Sequence, residues 1–305
     1  MKSGSSIVVT GGRGFIGRSV CRLLTQEGYS VFCLDKEQDR VADSSSNSIR
    51  PEGYFQCNIG DPELVQKFFE AERVDGILHL AAVLPTAAQR DPVLATLVNI
   101  GGSVNLLEMA RRFDVRRFIF ASSLSVYGTH PAEERVSEKH RAIPEDVYGV
   151  AKLYVERLGE IYRRQHAIEF VSLRIGRVVG PGAQSKSSAW RSRIFEEIRT
   201  TEPRVIDVPF NPAERLLVVH VDDVAKMLLM LLKNAQPMHD LYNACCESVT
   251  VANLKREIES LNPNVTVKLG IEDSVANPRL LDDSRFEHEF GFHPAPIFEQ
   301  LRRSN

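Results

Sequence analysis

The first 120 residues alternate between two hydrophobic rhythms. Short β-branched and apolar runs at 7–10, 30–34, 53–56, 76–80 and 117–121 read as buried strands. Between them, 16–27, 62–71 and 92–113 repeat apolar residues at helical spacing. Pro62 and Pro92 each follow an aspartate. Asp as N-cap with Pro at the first helical position is a strong start signal. The rhythm continues in a helix over 147–166 and a strand over 169–175. Strand–helix alternation of this kind predicts an α/β fold, a doubly wound parallel sheet with helices on both faces.

Regularity then falls. Residues 179–188, Val-Gly-Pro-Gly-Ala-Gln-Ser-Lys-Ser-Ser, are rich in turn formers and mark a boundary. A helix over 222–233 returns with an apolar face of Val224, Ala225, Leu228, Leu229 and Leu232. From Ser248 onward the expected elements are short and amphipathic. The expected division is a cofactor domain at 1–175, rejoined by 220–245. A smaller C-terminal lobe at 176–219 and 246–305, with no independent core, is left to face the substrate.

Composition narrows the function classes. The 305 residues are 43% hydrophobic, so disorder is excluded as the main state. Lys and Arg (38) nearly balance Asp and Glu (40), for a net charge of −2. That balance carries no footprint for nucleic acid or an anionic membrane. No run reaches the roughly 18–20 consecutive apolar residues of a membrane span. Neither nucleic acid nor membrane is therefore expected as a partner. Five scattered cysteines, two of them adjacent at 245 and 246, read as free thiols of a reducing, cytoplasmic compartment. No carboxylate–histidine cluster has ligand spacing, so no metal is expected.

Thr10-Gly11-Gly12-Arg13-Gly14-Phe15-Ile16-Gly17 lies between the first strand and the first helix. In this context the glycines permit a tight turn, close approach of a pyrophosphate and close helix packing, the dinucleotide-binding pattern of a Rossmann fold. The helix start at Phe15 and Ile16 then presents N–H groups to the phosphates. Asp35 ends the second strand, 18 residues past Gly17. A carboxylate there suits the ribose hydroxyls of NAD. Lys36 and Arg40 nearby leave NADP open.

Tyr148 and Lys152 stand one helical turn apart. An ammonium beside a phenol is expected to lower its pKa from about 10 and make it a usable acid/base. The strand at 117–121 opens into Ser122-Ser123-Leu124-Ser125-Val126-Tyr127-Gly128. In a doubly wound fold that carboxyl end is where ligands sit. Ser122 is read as a strand-end cap or cofactor contact.

These motifs, with His79-Leu80-Ala81-Ala82, Asn99 in Val-Asn-Ile-Gly-Gly, Leu173–Gly182, Val219–Ala225 and Asp283-Ser284-Arg285, resemble the extended short-chain dehydrogenase/reductases of the NAD-dependent epimerase/dehydratase branch. The resemblance spans nearly the whole chain. It implies that Gly11, Gly14 and Gly17 cradle the pyrophosphate, that Asn58 and Ile59 flank adenine, and that Ala81 and Ala82 line the nicotinamide side. It implies Ser123, Tyr148 and Lys152 as the catalytic set, with Asn99 supporting the backbone of the site. Ser125, Arg177, Arg215 and Arg279 fall at substrate positions, the last two where a diphosphate is often bound.

In this family the residues after the catalytic serine sort the chemistry. Leu124 and Ser125 supply no acid or base, which disfavours dehydration and decarboxylation. The expectation is a nucleotide-sugar epimerase, for example of a UDP-sugar, with Tyr148 as acid/base. The alternative is a net dehydrogenase or reductase of a small hydroxy or keto substrate. Two departures support that alternative: Arg177 stands where the family carries Asn, and Val208–Glu214 replaces a Gly-Asp-Gly turn. A non-catalytic NAD(P) sensor is a third reading, opposed by the intact Ser123, Tyr148 and Lys152. His79 and His220 read as structural, and Trp190 and Phe195 as pocket-lining or packing residues. The helices at 92–113 and 147–166 resemble those that pair in family homodimers.

Overall fold

A computed structural model describes residues 1–37, 52–131, 133–183, 188–234 and 236–304. Arg40 and residues 184–187 of the turn-rich segment lie outside these. The amino-terminal strands are β1 (Ser6–Thr10), β2 (Ser30–Asp35), β3 (Gly53–Gln56), β4 (Gly76–His79) and β5 (Arg117–Ser123). Helices α1 (Phe15–Gln26), α2 (Pro62–Ala71), α3 (Pro85–Arg90), α4 (Pro92–Ala95) and α5 (Ser103–Arg112) connect them. The two expected helix starts hold. Asp61 accepts from the N–H groups of Glu63 and Leu64, and Asp91 from that of Leu94.

After β5 come the short β6 (Arg135–Val136), the long α6 (Val147–Gln165) and β7 (Glu169–Ile175). The chain then leaves the sheet and returns through α8 (Val221–Lys233) and β11 (Leu241–Asn243). The seven strands stand in the order β11-β7-β5-β4-β1-β2-β3, every neighbouring pair parallel. Both faces are covered. Ile7, Val9, Leu78 and Ile119 pack toward α1 and α8, while Val8, Ile77, Phe118 and Phe120 pack toward α2 and α5. Burial on both faces is why these strands read as unbroken apolar runs. The order reverses between β1 and β4, which opens a crevice at their carboxyl ends.

The expected helix over 92–113 differs in its middle. Thr96–Gly102 is a π-helical turn between α4 and α5. By length and apolar composition the whole run from Pro92 to Arg112 could cross a membrane. Here its inner positions, among them Leu106, Leu107 and Ala110, are instead buried in the core beside α2.

The rest of the chain adds β8 (Arg177–Val179), α7 (Trp190–Glu196), β9 (Arg204–Phe210), β10 (Arg215–His220), β12 (Glu247–Thr250), α9 (Val251–Leu261), β13 (Val265–Glu272), β14 (Leu280–Leu281), α10 (Ser284–Phe290) and α11 (Ile297–Ser304), of which α10 packs through Phe286 on the main core beside β11. β12, β10 and β8 form one small sheet, and β9 pairs with β13. The expectation of no independent core is corrected. Trp190, Ile194, Ile206, Val218, Leu254 and Ile258 gather into an apolar cluster of their own. Each amphipathic element buries only one face, and together those faces close a core that no single segment announces.

Candidate active site

The phosphate loop is built by exclusion of side chains. Gly11 has φ +67°, and a Cβ there would sit 2.9 Å from the Ala81 backbone. A Cβ on Gly17 would lie 2.2 Å from the Gly11 carbonyl oxygen. Gly14 is the N-cap of α1 and offers no side chain to cap it, and the first turn carries no acid. The first intrahelical N–H bond runs from Arg18 to the Gly14 carbonyl. The N–H groups and dipole of Phe15, Ile16 and Gly17 are thus left for an anion.

Asp35 closes β2 beside this loop. Its carboxylate accepts from the Arg13 N–H at 3.1 Å and the Glu37 N–H at 3.2 Å. Asn58 is exposed and turns its side chain onto the Gly60 N–H. Ile59 is buried under Gly102, its carbonyl held by Asn105. Ala81 and Ala82, half-buried, follow β4. The glycine cradle and Asp35 fit the pyrophosphate and ribose of NAD.

A buried relay sets the loop after β4. The Ser103 hydroxyl donates to the Asn99 carbonyl at 2.7 Å, so its oxygen accepts from His79 Nε2 at 2.8 Å. His79 Nδ1 is then the acceptor for the Thr10 hydroxyl at 2.7 Å. Burial and the nearby Lys152 charge push the His79 pKa down to about 3, so the ring is neutral. Thr10 Oγ1 also accepts from the N–H groups of Leu80 and Ala81. Asn99 grips Val83 twice, accepting from its N–H at 2.7 Å and donating to its carbonyl at 3.0 Å. The Asn99 side chain is presented by the π-helical turn, a local widening that recurs at functional sites. His79 is structural, as expected, and Asn99 acts on the backbone of the site.

Ser123 and Ser125 follow at the end of β5, with their hydroxyl oxygens 3.2 Å apart. The Ser123 hydroxyl acts on the Tyr148 phenol in the direction that favours its ionised form. α6 brings Tyr148 and Lys152 to the same place. Asp146 caps the helix by accepting from the Gly149 N–H at 2.6 Å. Gly149 lets α6 approach, since a Cβ there would be 2.5 Å from the Ser125 carbonyl oxygen. Lys152 is buried, donates to the Ala121 carbonyl at 2.6 Å and sits 5.4 Å from the Tyr148 ring centroid.

The expected depression of the Tyr148 pKa is corrected. Desolvation, then the Asp146 charge, hold the phenol above its ordinary value, against the pull of Ser123 and Arg191. Desolvation also lowers Lys152 to about 7, against the pull of Glu156. Both shifts run toward the neutral forms, and a Lys152 pKa of about 7 leaves its charge sensitive to pH around neutrality.

Sequence reasoning missed the support beneath this set. Ser122 donates to Glu156 Oε1 at 2.5 Å. Glu156 also pairs with Arg174 at 2.7 Å, and both are almost completely buried. The Arg174 guanidinium lies 4.5 Å from the Tyr127 ring centroid, and the Tyr127 hydroxyl donates to Asn243. The i,i+4 spacing of Lys152 and Glu156 was the available signal.

The four expected substrate residues differ in their surroundings. Ser125 lies beside Ser123. Arg177 is half-buried, donates to Ser274 Oγ at 2.5 Å and lies 4.8 Å from the Phe210 ring centroid. Arg279 is held bidentately by Glu214 at 2.9 and 3.2 Å, and Arg215 is exposed at the start of β10. Trp190 and Phe195 are buried packing residues of the lobe core. His220 Nδ1 accepts from the Asp222 N–H at the start of α8, as expected of a capping residue. Among the described residues no group of three or more metal-binding side chains occurs.

Comparison with known proteins agrees with this geometry. The model of the NAD dependent epimerase/dehydratase family matches residues 7–245. A Methanocaldococcus jannaschii protein provisionally named UDP-glucose 4-epimerase is 31% identical over 97% of this chain and 86% of its own. The mitochondrial L-threonine 3-dehydrogenase of Sus scrofa is 22% identical over 94% of this chain and 78% of its own. The Thermus thermophilus UDP-glucose 4-epimerase in complex with NAD superposes with a TM-score of 0.80, at 24% identity, over 97% of this chain and 96% of that one. The dinucleotide cradle, the Ser123, Tyr148 and Lys152 set and the matched span together place this chain in the NAD-dependent epimerase/dehydratase family, as an NAD-dependent epimerase or oxidoreductase.

Proposed function

We propose that this chain oxidises and re-reduces a secondary alcohol of a nucleotide sugar, as a UDP-sugar 4-epimerase. The observation that carries the reading is the close packing of α6 on the Ser123–Ser125 segment at Gly149, which brings Tyr148 and Lys152 to the end of β5, with no carboxylate at positions 124 and 125. Bound NAD supplies the hydride acceptor and donor. Tyr148 moves the proton between its phenol oxygen and the substrate oxygen, and Ser123 hydrogen-bonds that oxygen as charge develops. Lys152, fixed by the Ala121 carbonyl, supplies the neighbouring positive charge. Similarity to the M. jannaschii protein over nearly its full length supports the epimerase reading.

The second reading is a net dehydrogenase of a smaller hydroxy substrate, such as a hydroxy amino acid. Arg279 is occupied by Glu214 and Arg215 is exposed, which favours a substrate without a diphosphate. The test is to supply NAD-loaded protein with UDP-galactose and with L-threonine. Interconversion to UDP-glucose without rising absorbance at 340 nm supports the epimerase. Steady NADH formation from L-threonine replaces it with the dehydrogenase.

The exposed apolar side chains Val93, Leu94, Leu97, Val150, Tyr154 and Ile161 lie on α4, the π turn and α6. They support a homodimer through this face. Light scattering that gives a particle of the 34.2 kDa chain mass at micromolar concentration would count against it. Five free cysteines, four of them buried, support a reducing cytoplasmic location. Fractionation that finds the native protein outside that compartment would refute it.

A further inference from the structure

Two arginines of the lobe, Arg177 and Arg191, have no carboxylate within ion-pair distance among the described residues, and Arg191 lies within electrostatic reach of Tyr148. Arg177 opens β8. Arg191 belongs to the first turn of α7, and its carbonyl accepts from the Gly180 N–H just past the end of β8. A single strand therefore fixes both backbones. The Arg191 guanidinium lies 5.9 Å from the Trp190 ring centroid, Trp190 meets Phe210 edge-on at 6.3 Å, and Arg177 lies 4.8 Å from Phe210. Arg191 Nε is buried with no hydrogen-bond partner, and no ion pair within 4.0 Å joins either arginine to a carboxylate among the described residues. Among the described residues, the side-chain hydrogen bond of Arg177 goes to the neutral Ser274 hydroxyl. Glu214, the acid that acts on Arg177 from a distance, is committed to Arg279.

Arg177 feels the charge of Arg191, and Arg191 and Tyr148 feel each other's. Desolvation lowers both, Arg177 to about 10. Two like charges held together without a counterion, in a half-buried wall, cost free energy that an incoming anion recovers. A guanidinium meets carboxylate and phosphate oxygens with the directional N–H fork that lysine lacks.

We propose that Arg177 and Arg191 form an anion subsite beside Tyr148, which selects substrates carrying a carboxylate or phosphate near the alcohol that reacts. This rests on Tyr148 as the acid/base and deepens that reading, since it names the second group the substrate must carry. Arg191 is a specificity-determining residue that the family resemblance did not indicate.

The test uses full-length, NAD-loaded protein and four probes: UDP-glucuronate against UDP-glucose, and L-threonine against L-threoninamide. Each pair differs in one carboxylate. Calorimetry gives the affinities, with UDP alone as a phosphate-only arm. We expect wild type to favour the acidic member of at least one pair by about tenfold or more. Arg191→Met and Arg177→Met should erase that preference, and Arg191→Lys should keep part of it. Loss of UDP affinity with the carboxylate preference unchanged would assign the subsite to a phosphate. Affinities for all anionic probes within about twofold of wild type in both Met variants, with thermal melts unchanged, would overturn the proposal. Tyr148→Phe separates the two readings. Retained turnover in that variant would sink the acid/base assignment, while the binding results would still decide the anion subsite.

Discussion

Lys152 and Glu156 stand one turn apart on α6, both buried, with their charges turned to different partners. The ammonium donates to the Ala121 carbonyl and the carboxylate holds Arg174 and Ser122. Glu156 is thus a positioning residue: it fixes the rear of the helix whose front carries Tyr148 and Lys152. Glu156→Gln leaves Arg174 as an uncompensated buried charge, which costs about 3 kcal/mol or more in urea denaturation. The same change removes the charge that raises Lys152. The limb of the kcat/KM profile governed by Lys152 should therefore move to lower pH. A variant that is less stable but keeps its pH limb would reduce Glu156 to a purely structural role.

Tyr148→Phe removes one oxygen from a side chain whose ring packs beside Lys152. Turnover should fall by about a hundredfold to ten-thousandfold, the usual worth of a positioned acid/base. NAD affinity, measured by fluorescence titration, should change little, because the cradle and Asp35 are untouched. Comparable loss of both would mean that the substitution disturbs the fold.

Gly17→Ala places a methyl group where 2.2 Å separates it from the Gly11 carbonyl oxygen. Backbone, not a flexible side chain, is the obstacle, so the loop itself must shift. The expected result is NAD binding weaker by more than about tenfold, with the apo-protein melting a few degrees lower at most. Unchanged NAD affinity would place the dinucleotide elsewhere.

His79 is held neutral, with its pKa pushed down to about 3 in the folded protein against an ordinary value of 6.5. Below pH 6.5 the unfolded chain takes up a proton that the folded one refuses. Folding stability from this residue is therefore full above 6.5 and falls as pH drops toward 3, by an amount on the order of 5 kcal/mol. Lys152 acts in a different window. Its lowered pKa means the unfolded chain binds more protons between about 7 and 10.5, so stability rises with pH there. Denaturation curves of His79→Asn should show a shallower acid slope than wild type, and those of Lys152→Met a shallower slope above neutrality.

The main sheet was legible because its signals are local. A strand such as Ile7-Val8-Val9 buries both faces and needs no distant information to be read, and Asp61-Pro62 writes a helix start in two residues. The site was legible where family spacing fixes it, at Gly11 to Gly17, Asp35, Ser123, Tyr148 and Lys152. The rest depends on contacts across long separations. Arg279 was expected at the substrate, but it is paired with Glu214, 65 residues away in the chain. Arg177 and Arg191 acquire a joint meaning only when β8 and α7 pack side by side. The direction of the Tyr148 shift was misjudged because spacing reveals the neighbouring lysine but not the amount of water removed.

The Thr10 hydroxyl engages His79 and the N–H groups of Leu80 and Ala81, and Gly11 is pressed against the Ala81 backbone. The loops for the two halves of the dinucleotide are therefore riveted to each other by the protein's own atoms. Their separation is a fixed gauge, set at folding and not negotiated with each arriving ligand. A molecule of the wrong span meets a frame that does not stretch, while one of the right span finds its ordering entropy already settled.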